Sequence, residues 1–205
     1  GYAAVNVGYG RTEIADAMRE QMLALPFAPK GTITEALSLV SEKIATVAPG
    51  SLDRCYPVSG GSEATETAIK IARAYHKRNV EQGRYKIISR RNSYHGATGG
   101  VQFAGGNADR SDYEPGYPGM LHVPQPNSWN CELGGQSSSE CAVLCAQAVE
   151  DLILLHGAET IAAFIGEPIS GTASTAVPGA EYWPMVREIC DRYGVLLITD
   201  EIVCG

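Results

Sequence analysis

The sequence predicts an α/β protein: a mostly parallel sheet with helices on both faces. Two observations carry the prediction. The runs Ile161 to Ile165 and Val195 to Ile198 are almost purely apolar, without the polar alternation of a strand that has one wet face. Between such runs lie stretches with apolar residues at helical spacing, the pattern of parallel strands joined by crossover helices. Composition agrees, since 205 residues with 44% hydrophobic and 19% charged side chains suffice for a buried core. Lys and Arg total 16 against 23 Asp and Glu, a net charge of −7, which gives nucleic acid no electrostatic attraction. No apolar run is long enough to cross a bilayer, so no membrane partner is expected. No basic stretch leads into an apolar one as in a secretory leader. Six irregularly spaced cysteines are no disulfide framework, which points to a reducing, cytoplasmic compartment.

The elements follow in order. A first amphipathic helix is expected over Thr12 to Leu25, with Thr12 as N-cap and Ile14, Met18, Met22 and Leu25 on one face. Pro26 and Pro29 end it. A second helix opens with Thr32 and Glu35 as a capping box, places Leu37, Val40, Ile44 and Val47 together, and stops at Pro49-Gly50. Cys55 to Val58 reads as a short strand leading into Ser59-Gly60-Gly61-Ser62. A helix from Glu63 to Lys77 is expected to bury Ala64, Ala68, Ile71, Ala72 and Tyr75, with Glu66 and Lys70 paired. Tyr85 to Ser89 is the next strand. Residues Gly105 to Ser139, rich in Gly, Pro, Asn and Ser, form a long excursion in which only Met120 to Val123 is strand-like. A helix from Glu140 to His156, a strand from Ile161 to Gly166, a helix from Tyr182 to Tyr193 closed by Gly194, and a strand from Val195 to Asp200 complete the reading.

Ligands of open parallel sheets gather at the carboxyl ends of the strands. There the sequence supplies four features. Gly60-Gly61-Ser62 begins a helix, where free N–H groups favour an anion such as phosphate; a plain helix cap is the equal alternative. Tyr94-His95-Gly96 offers an aromatic surface. Glu167 ends one buried strand and Asp200 another, and a buried carboxylate is costly unless paired or used. Asp200 has no basic neighbour in the local sequence, which invites a ligand cation such as a protonated pyridine. A phosphate cradle, an aromatic platform and two carboxylates are what pyridoxal 5'-phosphate requires, with a carboxylate keeping the ring nitrogen protonated.

In order and spacing, Ser-Gly-Gly-Ser-Glu-Ala-Thr-Glu-Thr-Ala-Ile-Lys-Ile-Ala-Arg (59–73), Ser-Tyr-His-Gly-Ala-Thr (93–98), Glu-Pro-Ile-Ser-Gly (167–171) and Arg-Tyr-Gly-Val-Leu-Leu-Ile-Thr-Asp-Glu-Ile (192–202) resemble the class III pyridoxal-phosphate-dependent aminotransferases. The resemblance extends to Val5-Asn6-Val7-Gly8-Tyr9-Gly10 and is strongest to the ω-amino acid or amine:pyruvate branch. It implies an incomplete large domain of fold type I, with residues 1–30 in an N-terminal small-domain segment and 31–205 in the first part of the coenzyme domain. It also implies roles: Gly61 and Ser62 on the phosphate, Tyr94 stacked on the ring with His95 beside it, Ile202 on the opposite face, Asp200 at the ring nitrogen, and Glu167 on the substrate side. Such an enzyme passes an amino group from a small-molecule donor to an oxo acid in a ping-pong cycle, as a homodimer with its active site at the subunit interface.

The family's Schiff-base lysine lies beyond the Asp-Glu strand. Lys30, Lys43, Lys70, Lys77 and Lys86 do not match its motif, so this chain, which begins at Gly1 and ends at Cys204-Gly205, is expected to be an inactive fragment. An aminomutase and a lysine-less phosphate-binding module are the competing readings. Cys141 and Cys145 have no nearby His or acidic residue to complete a metal set and read as core. Cys55, Cys190 and Cys204 are expected to be inert, and Cys131 exposed in its loop. His76, His122 and His156 read as surface or capping residues, and Arg90-Arg91 as charged surface.

Overall fold

Four strands set the frame: β1 (Lys86–Arg90), β2 (Met120–Val123), β3 (Ile161–Gly166) and β4 (Leu196–Thr199). They stand in the order β2-β1-β3-β4 and every neighbouring pair is parallel. The computed structural model describes residues 4–29 and 31–205, apart from the side chains of 108 and 109; Gly1 and Lys30 lie outside the described residues. Five helices accompany the strands among them: α1 (Thr12–Ala24), α2 (Glu35–Val47), α3 (Gly61–Arg78), α4 (Ser138–His156) and α5 (Tyr182–Tyr193).

The expected α/β architecture is present, with the sheet covered on both faces. Strand residues alternate between the faces. Ile87, Ala163 and Ile165 meet Ile69 and Ala72 of α3 together with Val101 and Ala104. On the other face Ile88 and Phe164 pack on Cys141, Cys145, Val149 and Ile153 of α4 and on Val186, Ile189 and Cys190 of α5, joined by Ile161 where a register shift at the start of β3 breaks the alternation. All six residues of β3 are buried, as a central strand of such a sheet requires. Gly194, in the left-handed conformation at φ 65°, closes α5 where expected.

The chain divides into two compact units, Gly1–Pro57 and Val58–Gly205. In the first, α1 and α2 bury none of their residues, and the anticipated apolar stripes, including Met18, Met22, Val40, Ile44 and Val47, are exposed. Thr12 is the first helical residue of α1 and not its cap, a position held by Arg11 without a side-chain hydrogen bond. Thr34, and not Thr32, caps α2 by accepting from the Leu37 N–H at 3.2 Å, because the helix begins at Glu35. The run at Cys55 to Val58 forms no strand. Among the described residues no strand pairs with it, and Pro57 lacks the N–H a ladder needs.

In the second unit α3 starts at Gly61, earlier than expected, and its buried face is rotated. Thr65, Ile69, Ala72 and His76 face inward, while Ile71 and Tyr75 are exposed. Two polar anchors select that face. The Thr65 hydroxyl donates to the His95 carbonyl at 2.6 Å, and His76 Nε2 lies 2.9 Å from the Ala162 carbonyl. His76 is therefore a core residue and not a surface one, with Nδ1 2.8 Å from Glu81. Glu66 does not pair with Lys70; it accepts from the Thr98 hydroxyl and, at 3.1 Å, from the Gly100 N–H. The Ser137 hydroxyl caps α4, accepting from the Glu140 N–H at 3.1 Å, which extends that helix to Ser138.

His122, on β2, is half-buried beside Arg110, with Nε2 3.0 Å from the Gly105 carbonyl. Burial, reinforced by the Arg110 charge, lowers its pKa to about 4. Unfolding releases the ring to bind a proton more readily, so its contribution to stability is present above the unfolded value near 6.5 and is lost as pH falls toward about 4. Unfolding free energy measured across that window should fall, and His122→Gln should flatten the fall. Phe164 fills the sheet–helix layer with no exposed surface. Phe164→Ala should cost about 3–5 kcal/mol in urea unfolding.

Candidate functional site

Three loops converge beyond the carboxyl ends of β1 and β4, all within the second unit. The first is the Gly60-Gly61 start of α3, the second is the Tyr94–Thr98 loop after β1, and the third is Asp200–Ile202 after β4. The Ser62 hydroxyl accepts the Ala97 N–H at 3.1 Å and so joins the first loop to the second. A Cβ on Gly61 would lie 2.5 Å from Ile202 Cδ1, which joins the first to the third. Gly96, at φ +135°, leaves no room for a side chain either, since a Cβ there would stand 2.6 Å from Ser62 Oγ. The sequence-predicted residues Gly61, Ser62, Tyr94, His95, Asp200 and Ile202 are thus brought together, with Tyr94 half-exposed.

Asp200 is only 8% exposed, and its N–H donates to the Gly166 carbonyl at 2.9 Å, which fixes it beside the end of β3. One carboxylate oxygen lies 2.8 Å from His95 Nδ1, and the other accepts the Ile202 N–H at 3.3 Å. The basic partner absent from the local sequence is therefore His95, 105 residues away. His95 is itself buried, and its Nε2 has no protein partner.

Glu167, 5% exposed, ends β3 next to this group. Its Oε2 accepts the Ser170 hydroxyl at 2.9 Å and lies 3.5 Å from the Arg90 guanidinium, which also donates to the Glu167 carbonyl. Arg90 is fully buried and not charged surface, with its guanidinium carbon 5.9 Å and 5.5 Å from the ring centroids of Tyr182 and Trp183. Arg90, Ser170 and Glu66 belong to the setting of the site, although the sequence reading gave Arg90 to the surface, paired Glu66 with Lys70 and assigned Ser170 no role. The available signal was Glu167 itself, because a buried carboxylate requires a cation and Arg90 ends the neighbouring strand. Arg91, by contrast, is on the surface and pairs with Glu132.

Of the lysines in this unit, Lys70 and Lys77 are exposed and Lys86 lies 3.4 Å from His156, at the amino end of β1 and so at the opposite end of the strands. None stands beside Asp200.

With fold and site in view, the class is that of a pyridoxal-phosphate-type α/β scaffold. The chain belongs to the class-III aminotransferase family, whose model matches residues 1–205. It is 38% identical over 208 residues to the putrescine–pyruvate aminotransferase of Pseudomonas aeruginosa, covering all of this chain and 45% of that protein. A thermostable (S)-enantioselective ω-transaminase from Thermomicrobium roseum superposes with a TM-score of 0.94 at 38% identity, over 100% of this chain and 47% of that one. The ω-transaminase of Pseudomonas jessenii, solved in complex with PMP, gives a TM-score of 0.93 at 32% identity, over 99% and 46%. The chain thus spans about half the length of the relatives it matches.

Removing Arg90 would leave the Glu167 carboxylate buried without a cation. Arg90→Met should destabilise by about 3–5 kcal/mol, and adding Glu167→Gln should recover much of the loss in chemical denaturation.

Proposed function

We propose that the protein carrying this chain is a pyridoxal-5'-phosphate-dependent transaminase that moves an amino group from an amine or ω-amino acid to an oxo acid such as pyruvate, in a ping-pong cycle. The observation that carries the reading is the meeting of the buried Asp200–His95 pair with the Gly60-Gly61-Ser62 start of α3 at one edge of a parallel sheet. The coenzyme, when bound, supplies an electron sink and an amino-group carrier.

The residues present fit that group. Gly61 and Gly96 line a cradle that a single Cβ would obstruct, so backbone N–H groups at the start of α3 can approach a phosphate, with the Ser62 hydroxyl beside them. Tyr94 and Ile202, both substantially exposed, offer an aromatic and an aliphatic surface for a flat ring. Asp200, oriented by His95 and by the Ile202 N–H, is a fixed anionic acceptor for a ring N–H. Glu167, held by Arg90 and Ser170, flanks it on the substrate side.

We assign residues 1–30 to the small-domain segment and 31–205 to the coenzyme domain. In this reading the enzyme works as a homodimer in the cytoplasm, and its lysine anchor is none of the lysines of the second unit, since Lys70 and Lys77 are exposed and Lys86 lies beside His156. Six free cysteines agree with a reducing compartment. Among the described residues no helix is long and apolar enough to cross a membrane.

In the full-length protein, Asp200→Asn should lower transamination with pyruvate as acceptor by at least about 100-fold, on the order of 3 kcal/mol in the barrier, with the circular-dichroism spectrum unchanged. Unaltered turnover would refute the assigned role of Asp200.

A further inference from the structure

A second constellation lies away from this edge, where the long loop after β2 meets the first turns of α4. Cys131 comes from the loop, and Cys141 and Cys145 stand four apart on the helix. Their three sulfurs all lie within 4.8 Å of one another. The sequence reading placed Cys131 alone in its loop and the other two in the core. The fold brings the three together, across a separation that local spacing does not reveal.

The arrangement is held by the backbone. The Gly134 N–H donates to the Cys131 carbonyl at 3.0 Å, turning the loop back toward the helix. Gly135 is pressed so close to α4 that a Cβ there would lie 2.7 Å from Cys141 Cα. The Cys145 thiol reaches the Gln125 carbonyl at 3.6 Å, a weak contact that a stronger ligand can replace. Cys141 and Cys145 are buried while Cys131 is only half-buried, so the cluster has an apolar floor and is reached from the Cys131 side.

We propose that Cys131, Cys141 and Cys145 form a binding site for one soft, thiophilic divalent cation of the zinc type, with three protein sulfurs and a fourth position left to water or a small exogenous ligand. Tetrahedral zinc with Zn–S bonds of about 2.3 Å places its sulfurs about 3.8 Å apart, so only small side-chain rotations separate the observed spacing from a coordinating one. Thiolate ligands select such ions over calcium or magnesium, which take oxygen donors. Among the described residues no other His, Cys, Asp or Glu group gathers in this way.

Protonation supplies a second signature. Burial acts to raise the Cys131 pKa, but hydrogen bonds from the Cys141 thiol and the Leu133 and Gly135 N–H groups outweigh it and hold that thiol below its ordinary value. Burial pushes Cys141 up to about 11 and raises Cys145 further. A metal binds thiolates and displaces their protons, so affinity should fall as pH falls. A bound ion would tie the loop to α4 next to Glu132, the partner of Arg91, near the start of the Tyr94 loop.

The proposal stands apart from the coenzyme reading and is tested without turnover. Reduced full-length protein is titrated with Cd2+, following the thiolate-to-metal absorption band, and with Zn2+ by calorimetry. The expected result is one equivalent per chain, retained in Cys204→Ser and weakened in Cys131→Ser by more than the roughly 10- to 100-fold that loss of an outer-shell contact causes. Cys131 is half-buried and packs against the core beside α4, so the near-isosteric Ser is used, and circular dichroism checks the fold. Absence of a stoichiometric band, equal affinity in Cys131→Ser, or recovery of Cys131 disulfide-bonded to Cys141 from freshly reduced protein would each overturn the proposal.

Discussion

Burying Asp200 at the end of β4 is the constraint on which the arrangement of the candidate site depends. A carboxylate removed from water loses its hydration and must recover it from the protein. Here His95 and the Ile202 N–H occupy its two oxygens. Satisfying them draws the loop after β1 across β3 to the end of β4, so that Tyr94 and Gly96 are carried along. The His95 carbonyl in turn accepts from Thr65, which sets the rotation of α3 and hence the direction of its Gly60-Gly61-Ser62 start. One buried charge thereby coordinates three loops that are distant in the chain.

Arg90 and Glu167 repeat the pattern one strand over. Both sit at carboxyl ends of neighbouring parallel strands, where the sheet no longer shields a side chain with apolar residues alone. Neither charge is tolerable by itself, and together with Ser170 they form a closed polar group roofed by Tyr182 and Trp183. The two aromatics begin α5, so the same contacts that neutralise the edge also seat that helix on the sheet.

The legible parts of the fold were those written in local signals. The continuous apolar run Ile161–Gly166 identified β3, and the amphipathic pattern ending at Gly194 identified α5 with its boundaries. The residues expected at one site, Gly61, Ser62, Tyr94, His95, Asp200 and Ile202, do lie close together, although α3 begins at Gly61 and the strand expected before it is absent. What escaped were pairings across long separations: His95 with Asp200 at 105 residues, Arg90 with Glu167 at 77, and His76 with Ala162 at 86. The inward face of α3 escaped for the same reason. Hydrophobicity favoured Ile71 and Tyr75, but two hydrogen bonds made elsewhere in the chain outweighed that local preference.

The errors in the first unit have a different origin. The apolar stripes of α1 and α2 were read correctly as stripes, since Met18, Met22, Val40, Ile44 and Val47 do recur at helical spacing, but within these residues they have nothing to bury against. Periodicity states that a face is apolar; it does not state what covers it. In the second unit the sheet supplies the cover, and there the same kind of pattern does mark buried positions, as Val149 and Ile153 on α4 and Val186 and Ile189 on α5 demonstrate. The difference lies in the presence of the parallel sheet, whose two faces give each helix a surface of matching width. The strands thus do more than place the candidate-site side chains at their ends. They convert helical periodicity from a statement about composition into one about burial.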